Sequence, residues 1–210
     1  AIELNPDFAN AHSNLGNILR DLGKLEEAES STRTAIKFNP GFANAHANLG
    51  SILKDLDKLE EAELSTRKAI ELNPDFAEAY SNLGDILKDS DKLEQSNKAY
   101  QKSLEIDPKQ IQVIAKIIFT LPGLCMWDEI EKYSPYLNRI GIEGKAVSPL
   151  TLMYIEDNPL HHLKRAVKYA KENKREELPT INHKKNNKIK IGYFSSDFRN
   201  HPVTHLFIRT

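Results

Sequence analysis

Residues 9–42 read ANAHSNLGNILRDLGKLEEAESSTRTAIKFNPGF, and residues 43–76 read ANAHANLGSILKDLDKLEEAELSTRKAIELNPDF. The two stretches agree at 25 of 34 positions, and residues 77–110 form a third, more divergent copy. Pro6, Pro40, Pro74 and Pro108 stand 34 apart, as do Gly16, Gly50 and Gly84. A period of this size means a supersecondary unit that cannot bury its apolar face alone and stacks on its neighbours. The apolar residues recur at helical spacing in two runs per unit, so each unit is a pair of helices. Counting from Ala9, Ala43 and Ala77, position eight is glycine in every unit, and position twenty is Ala28, Ala62 and Ser96. Small residues at both places let two helix backbones approach closely.

Leu-Gly at positions seven and eight, Ala at twenty and Pro at thirty-two resemble the tetratricopeptide (TPR) pattern. Positions four and twenty-four, usually aromatic in that pattern, are here His12, His46 and Tyr80, then Thr32, Thr66 and Tyr100. The residues before the prolines, Asn5, Asn39, Asn73 and Asp107, are pushed out of the helical region and close each second helix. Residues 111–121 start a fourth unit, but Ile118 replaces the glycine and Pro122-Gly123 ends the helix, so we expect a capping helix there. The organisation expected is a partial repeat at 1–8, repeats at 9–42, 43–76 and 77–110, and a cap at 111–121. The words Ala1-Ile2-Glu3-Leu4-Asn5-Pro6 recur as Ala69 to Pro74, which predicts that residue 1 lies inside a helix of an earlier repeat.

At 100° per residue, positions four, seven, eight and eleven of the first helix form one packing stripe, and positions two, six, nine and thirteen point away from it. The second set contains Asn14, Asn48 and Asn82 at position six and Asp21, Asp55 and Asp89 at position thirteen. Helices pack roughly 8–10 Å apart and an extended chain advances about 3.3 Å per residue. One unit therefore matches about three residues of a guest. A carboxamide offers a donor and an acceptor, the complement of a backbone amide, so a row of asparagines predicts a site for extended polypeptide. The plain alternative is a solvated face copied by duplication; asparagine inside a helix is a poor helix former, which favours the binding role.

The 210 residues carry a net charge of -1, with 40% hydrophobic and 28% charged residues. Neither disorder nor a membrane span fits this composition, and no basic excess points to nucleic acid. One cysteine, Cys125, cannot make an internal disulfide, which suits a cytoplasmic setting.

Beyond the repeats, residues 122–187 read as a helical linker region. Pro159 to Lys171 is one helix, with Leu160, Leu163, Ala166, Val167 and Ala170 as its apolar side. His161 and His162 are adjacent and point 100° apart, which disfavours joint metal ligation. Lys188 to Phe194 alternates and predicts a strand; Ser195 to His201 is a loop, and Pro202 suits the first turn of a helix.

The wording Ala11-His12-Ser13-Asn14-Leu15-Gly16, the junction Cys125-Met126-Trp127-Asp128, the Pro149–Ala170 segment and above all residues 191–206 (IGYFSSDFRNHPVTHL) resemble the O-GlcNAc transferases of glycosyltransferase family 41 and their Spindly-type relatives. The resemblance implies a mainly α chain: a TPR superhelix, a helical linker and the first strand of a Rossmann-like, GT-B catalytic lobe at 188–210. It implies acceptor polypeptides gripped by the Asn and Asp ladders, His201 in the active site as a proton carrier or an orienting group, and His205 in a structural role. UDP-GlcNAc is the donor implied, held by lobes beyond Thr210, so that residues 1–210 alone would be inactive. Two competing readings are a non-enzymatic TPR scaffold and a Spindly-type protein O-fucosyltransferase using GDP-fucose.

Overall fold

Three pairs of antiparallel helices follow one another along the chain: α1 (Ala9–Asp21) with α2 (Leu25–Phe38), α3 (Ala43–Asp55) with α4 (Leu59–Leu72), and α5 (Ala77–Asp89) with α6 (Leu93–Ile106). They are followed by α7 (Ile111–Thr120), the single turn α8 (Trp127–Ile130) and α9 (Pro159–Glu172). This computed structural model describes residues 9–148, 152–153 and 155–173. The chain divides into a unit ending at Arg175 and a second unit, 176–210, which lies outside the described residues together with the expected strand at 188–194, His201 and His205. No strand occurs among the described residues.

Each helix ends for a local reason. The first helix of every pair stops at position fifteen in the left-handed region, with φ of +75° at Gly23, +61° at Asp57 and +58° at Asp91. The following amide then reaches back to the last turn, as in Lys58 N to Leu53 O at 2.9 Å. Second helices stop at the residue before proline, where φ is -136° at Asn39, -142° at Asn73 and -131° at Asp107. There the side-chain oxygen accepts from the amide two residues on, at 3.2 Å for Asn39, 3.3 Å for Asn73 and 3.1 Å for Asp107. The Asn-Pro or Asp-Pro signature is thus a turn with its own hydrogen bond.

Within a pair, contact is closest at position eight. A Cβ on Gly16 would sit 2.1 Å from Thr32 Oγ1, one on Gly50 2.0 Å from Thr66 Oγ1 and one on Gly84 2.3 Å from Tyr100 Cε1. The threonines at the usually aromatic position are fully buried, and each hydroxyl donates at 2.8 Å to the carbonyl one turn back, Ala28 or Ala62. Their polar atom is satisfied, so a small residue fills the crossing without an orphaned group. Between pairs, Ile86 packs on Leu49, Leu53 and Ala62. The equivalent Ile52 is fully buried while Ile18 is 56% exposed.

Charges repeat as faithfully as apolar groups. Lys58 reaches Glu29 at 2.7 Å and Lys92 reaches Glu63 at 2.8 Å, joining each second helix to the next repeat, while Arg33 and Arg67 hold the same glutamates from one turn away. Hydrogen bonds from Lys58 and Lys92 keep both carboxyls below the ordinary glutamate value, against the opposing effect of burial.

α7 closes the stack as a helix buried on two sides. Val113 and Ile117 join Tyr100 and Ile130 in one cluster, and Ile114 and Ile118 join Ile140 and Leu152 in another. Its Phe119 is 56% exposed. α9 departs from expectation. Leu160 and Leu163 are 68% and 60% exposed, and the residue it buries completely is Arg165. Arg165 donates to the carbonyls of Ile140 and Leu137 and pairs with Glu156 at 2.5 Å. A backbone loop rich in unpaired carbonyls is what this helix covers, so it docks by charge and hydrogen bonding.

Gly50→Ala will force Thr66 to move and lower stability by about 1–3 kcal/mol. The double variant Gly50→Ala/Thr66→Ala should recover part of that loss in urea denaturation; additive losses would refute the tight crossing.

Candidate peptide-binding groove

The first helices touch one another in sequence, α1 on α3 and α3 on α5. Their outward faces form a polar groove of about 430 Å³ lined by Asn17, Arg20, Asp21, Asn48, Lys54 and Asn82, among others. Three of the six expected ladder residues, Asp21, Asn48 and Asn82, therefore converge on one cavity. Asn14 lies exposed on α1, and Asp55 and Asp89 are engaged in ion pairs beside it.

The ladder positions are not equivalent. Asn48 Nδ2 donates to Ser13 Oγ, at position five of the preceding unit, at 3.0 Å. Lys116 repeats the arrangement one unit beyond Asn82: it occupies position six of the incomplete fourth unit and its Nζ donates to Ser81 Oγ at 2.9 Å. Asn82 has Ala47 at the corresponding place, which offers no hydroxyl. Its carboxamide makes no hydrogen bond among the described residues.

Position twelve is basic throughout, with Arg20, Lys54 and Lys88. Arg20 Nε lies 2.6 Å from Asp55, and Lys54 Nζ lies 3.3 Å from Asp55 and 3.9 Å from Asp89. The Arg20–Asp55 and Lys54–Asp89 pairs link successive first helices along the groove. Desolvation by burial works against the Asp55 charge, but the Arg20 hydrogen bond and charge outweigh it and hold the carboxyl below its ordinary value. The aspartate ladder thus has a structural role that counting acids alone does not reveal. The recurrence of a base at position twelve, 34 residues apart, is the signal that marks it in the sequence.

At the far end of the groove, Asp85 accepts from Lys116 at 2.6 Å and from the Tyr100 hydroxyl at 2.7 Å, with Lys116 over the Tyr100 ring at 5.5 Å from its centroid. Burial and the Asp85 charge drive the Tyr100 phenol far above its usual pKa, so it stays neutral and a donor. No group of three or more His, Cys, Asp or Glu that could hold a metal is found among the described residues. His161 and His162 are both tied to Glu156, one to its carboxylate at 2.5 Å and the other to its carbonyl at 2.6 Å. No helix among the described residues is long and apolar enough to cross a membrane.

This arrangement belongs to a class of helical-repeat modules. Residues 9–42 and 43–76 match one tetratricopeptide repeat model and residues 66–101 match a second, so residues 9–101 are tetratricopeptide repeats. Among solved structures the chain is similar to the crystal structure of MamA, at 22% identity and TM-score 0.58 over 82% of this chain and 85% of that one. It is similar also to the first TPR of Spaghetti (RPAP3) bound to the HSP90 peptide SRMEEVD, at 25% identity and TM-score 0.55 over 56% and 94% of the two chains. The first TPR domain of human RPAP3 gives 25% identity and TM-score 0.56 over 60% and 98%. No curated protein matches the sequence.

Asn48→Ala will lower the melting temperature, since it cuts the tie to Ser13, whereas Asn82→Ala will leave it within error; equal losses in calorimetry would contradict the distinction. A depressed Asp55 pKa means the Arg20 pair contributes stability above the ordinary aspartate range and loses it as pH falls through the depressed value. Arg20→Ala should raise the Asp55 pKa in a carboxyl NMR titration and cost less than about 1 kcal/mol at pH 7; an unmoved titration would remove the pair from the account.

Proposed function

We propose that this chain holds an extended polypeptide in the groove of its first helices, reading mainly the guest's backbone. The observation that carries the reading is the convergence of Asn48 and Asn82, with Asn17, on one solvent-open cavity. Asn82 is left without a hydrogen bond among the described residues. A backbone hydrogen bond to such a carboxamide contributes about 0.5–1.5 kcal/mol net. The RPAP3 repeat that resembles this chain is bound to a peptide, which supports the same use here.

On the resemblance of residues 191–206 we propose further that the guest is the acceptor of a protein O-glycosyltransferase. In this reading 1–121 is the acceptor-binding stack, 122–187 the linker and 188–210 the start of the catalytic region, with UDP-GlcNAc as donor. His201 acts on the acceptor hydroxyl or orients it. Transfer also needs a donor held in line with that hydroxyl and a stabilised leaving diphosphate, and no residue of 1–187 is assigned those roles.

Labelled, unstructured peptides of 12 residues should bind the chain in fluorescence anisotropy, and Asn82→Ala should weaken them several-fold with helicity unchanged. Binding untouched by Asn82→Ala would remove the ladder. In a longer chain carrying both catalytic lobes, His201→Ala should lower kcat while Asn82→Ala raises KM for long acceptors. Transfer from GDP-fucose would change the sugar, and no transfer from either donor would leave the scaffold reading standing.

A further inference from the structure

The groove does not end as it begins. At position nine, where α1, α3 and α5 carry Asn17, Ser51 and Asp85, α7 carries Phe119, and its ring is 56% exposed although most of that helix is buried. Phe119 lines a larger cavity of about 860 Å³, whose lining also includes Ala115, Ala146 and Val147. Glu78, Asn82, Lys116 and Lys145 line both this chamber and the polar groove, so the two are continuous. Lys88, Lys116 and Lys145 border the chamber against two carboxylates, Glu78 and Asp107. Lys145 has no ion-pair partner among the described residues.

We infer that this chamber selects guest polypeptides by an aromatic side chain with an acidic residue next to it. The inference rests on the groove reading and adds sequence preference to a site that otherwise reads backbone. An exposed phenylalanine in a chamber also lined by Ala115, Ala146 and Val147 removes a guest ring from water and meets it edge to face. The carboxylate beside that ring lies among the three ammonium groups, where Lys145 needs no existing pair to be broken. Asn82, at the junction of the two cavities, keeps the intervening backbone in register. Guests without the aromatic residue bind through the ladder alone.

The probes are two labelled 12-residue peptides of Ala, Ser, Thr and Asn, identical except that one has Phe-Glu at its centre. In fluorescence anisotropy the Phe-Glu peptide should bind roughly tenfold tighter, the amount expected from burying most of a phenylalanine. Phe119→Ala, at an exposed position and checked by circular dichroism, should erase that advantage and leave the plain peptide's affinity as it was. Lys145→Glu should reduce it and restore it for a Phe-Lys peptide. Equal affinity of the two peptides for the unaltered chain, or an advantage that survives Phe119→Ala, overturns the chamber's role while the groove stands. Failure of both peptides to bind overturns the groove reading itself.

Discussion

The absence of a side chain at position eight sets the geometry from which everything else follows. A Cβ on Gly16, Gly50 or Gly84 would lie within 2.0–2.3 Å of the residue at position twenty-four of the partner helix. Paired helices therefore run at a separation that only glycine permits. With the pairs built on this crossing, Ile86 packs on Leu49, Leu53 and Ala62 of the preceding pair. Repetition of one crossing becomes a stack, and stability is then the sum of like interfaces.

The groove is what the crossing leaves over. With one face of each first helix consumed by its partner and another by the neighbouring unit, positions six, nine, twelve and thirteen remain on a common side. The polar residues there divide their work. Arg20 with Asp55 and Asn48 with Ser13 tie successive helices together, while Asn82 and Asp21 stay open. Lys116 carries the position-six tie into the capping helix, where Asp85 and the neutral Tyr100 hold its charge. The same residues that stiffen the stack thus shape the surface offered to a guest.

The paired helices were legible in the sequence because packing repeats: glycine, alanine and proline at fixed offsets leave few alternatives, and helix ends follow from Asn-Pro chemistry. Of the face that helical geometry selects, Asp21, Asn48 and Asn82 share one cavity, while Asn14 stands apart and Asp55 and Asp89 are ion-paired. The division of labour along that face was not legible. That Asn48 meets a serine while Asn82 faces Ala47 depends on the residue at position five of the preceding unit, a pairing visible only once the helices are stacked. α9 misled for a similar reason. Its Leu160, Leu163 and Val167 stripe reads as a core face, yet the surface it covers is a loop of carbonyls from Leu137 to Gly144 that Arg165 and Lys168 satisfy. A one-dimensional pattern does not state what the partner surface needs.

The central claim is that a guest lies on the first helices and uses their carboxamides. Side-chain amide signals of asparagine report this directly in 15N-1H NMR. On titration with an extended peptide, the Asn48 and Asn82 side-chain signals should shift together with backbone signals of α3 and α5, while those of the outward residues of α2 and α4 stay in place. Shifts confined to α2 and α4, with both asparagine side chains unmoved at saturation, would contradict the account.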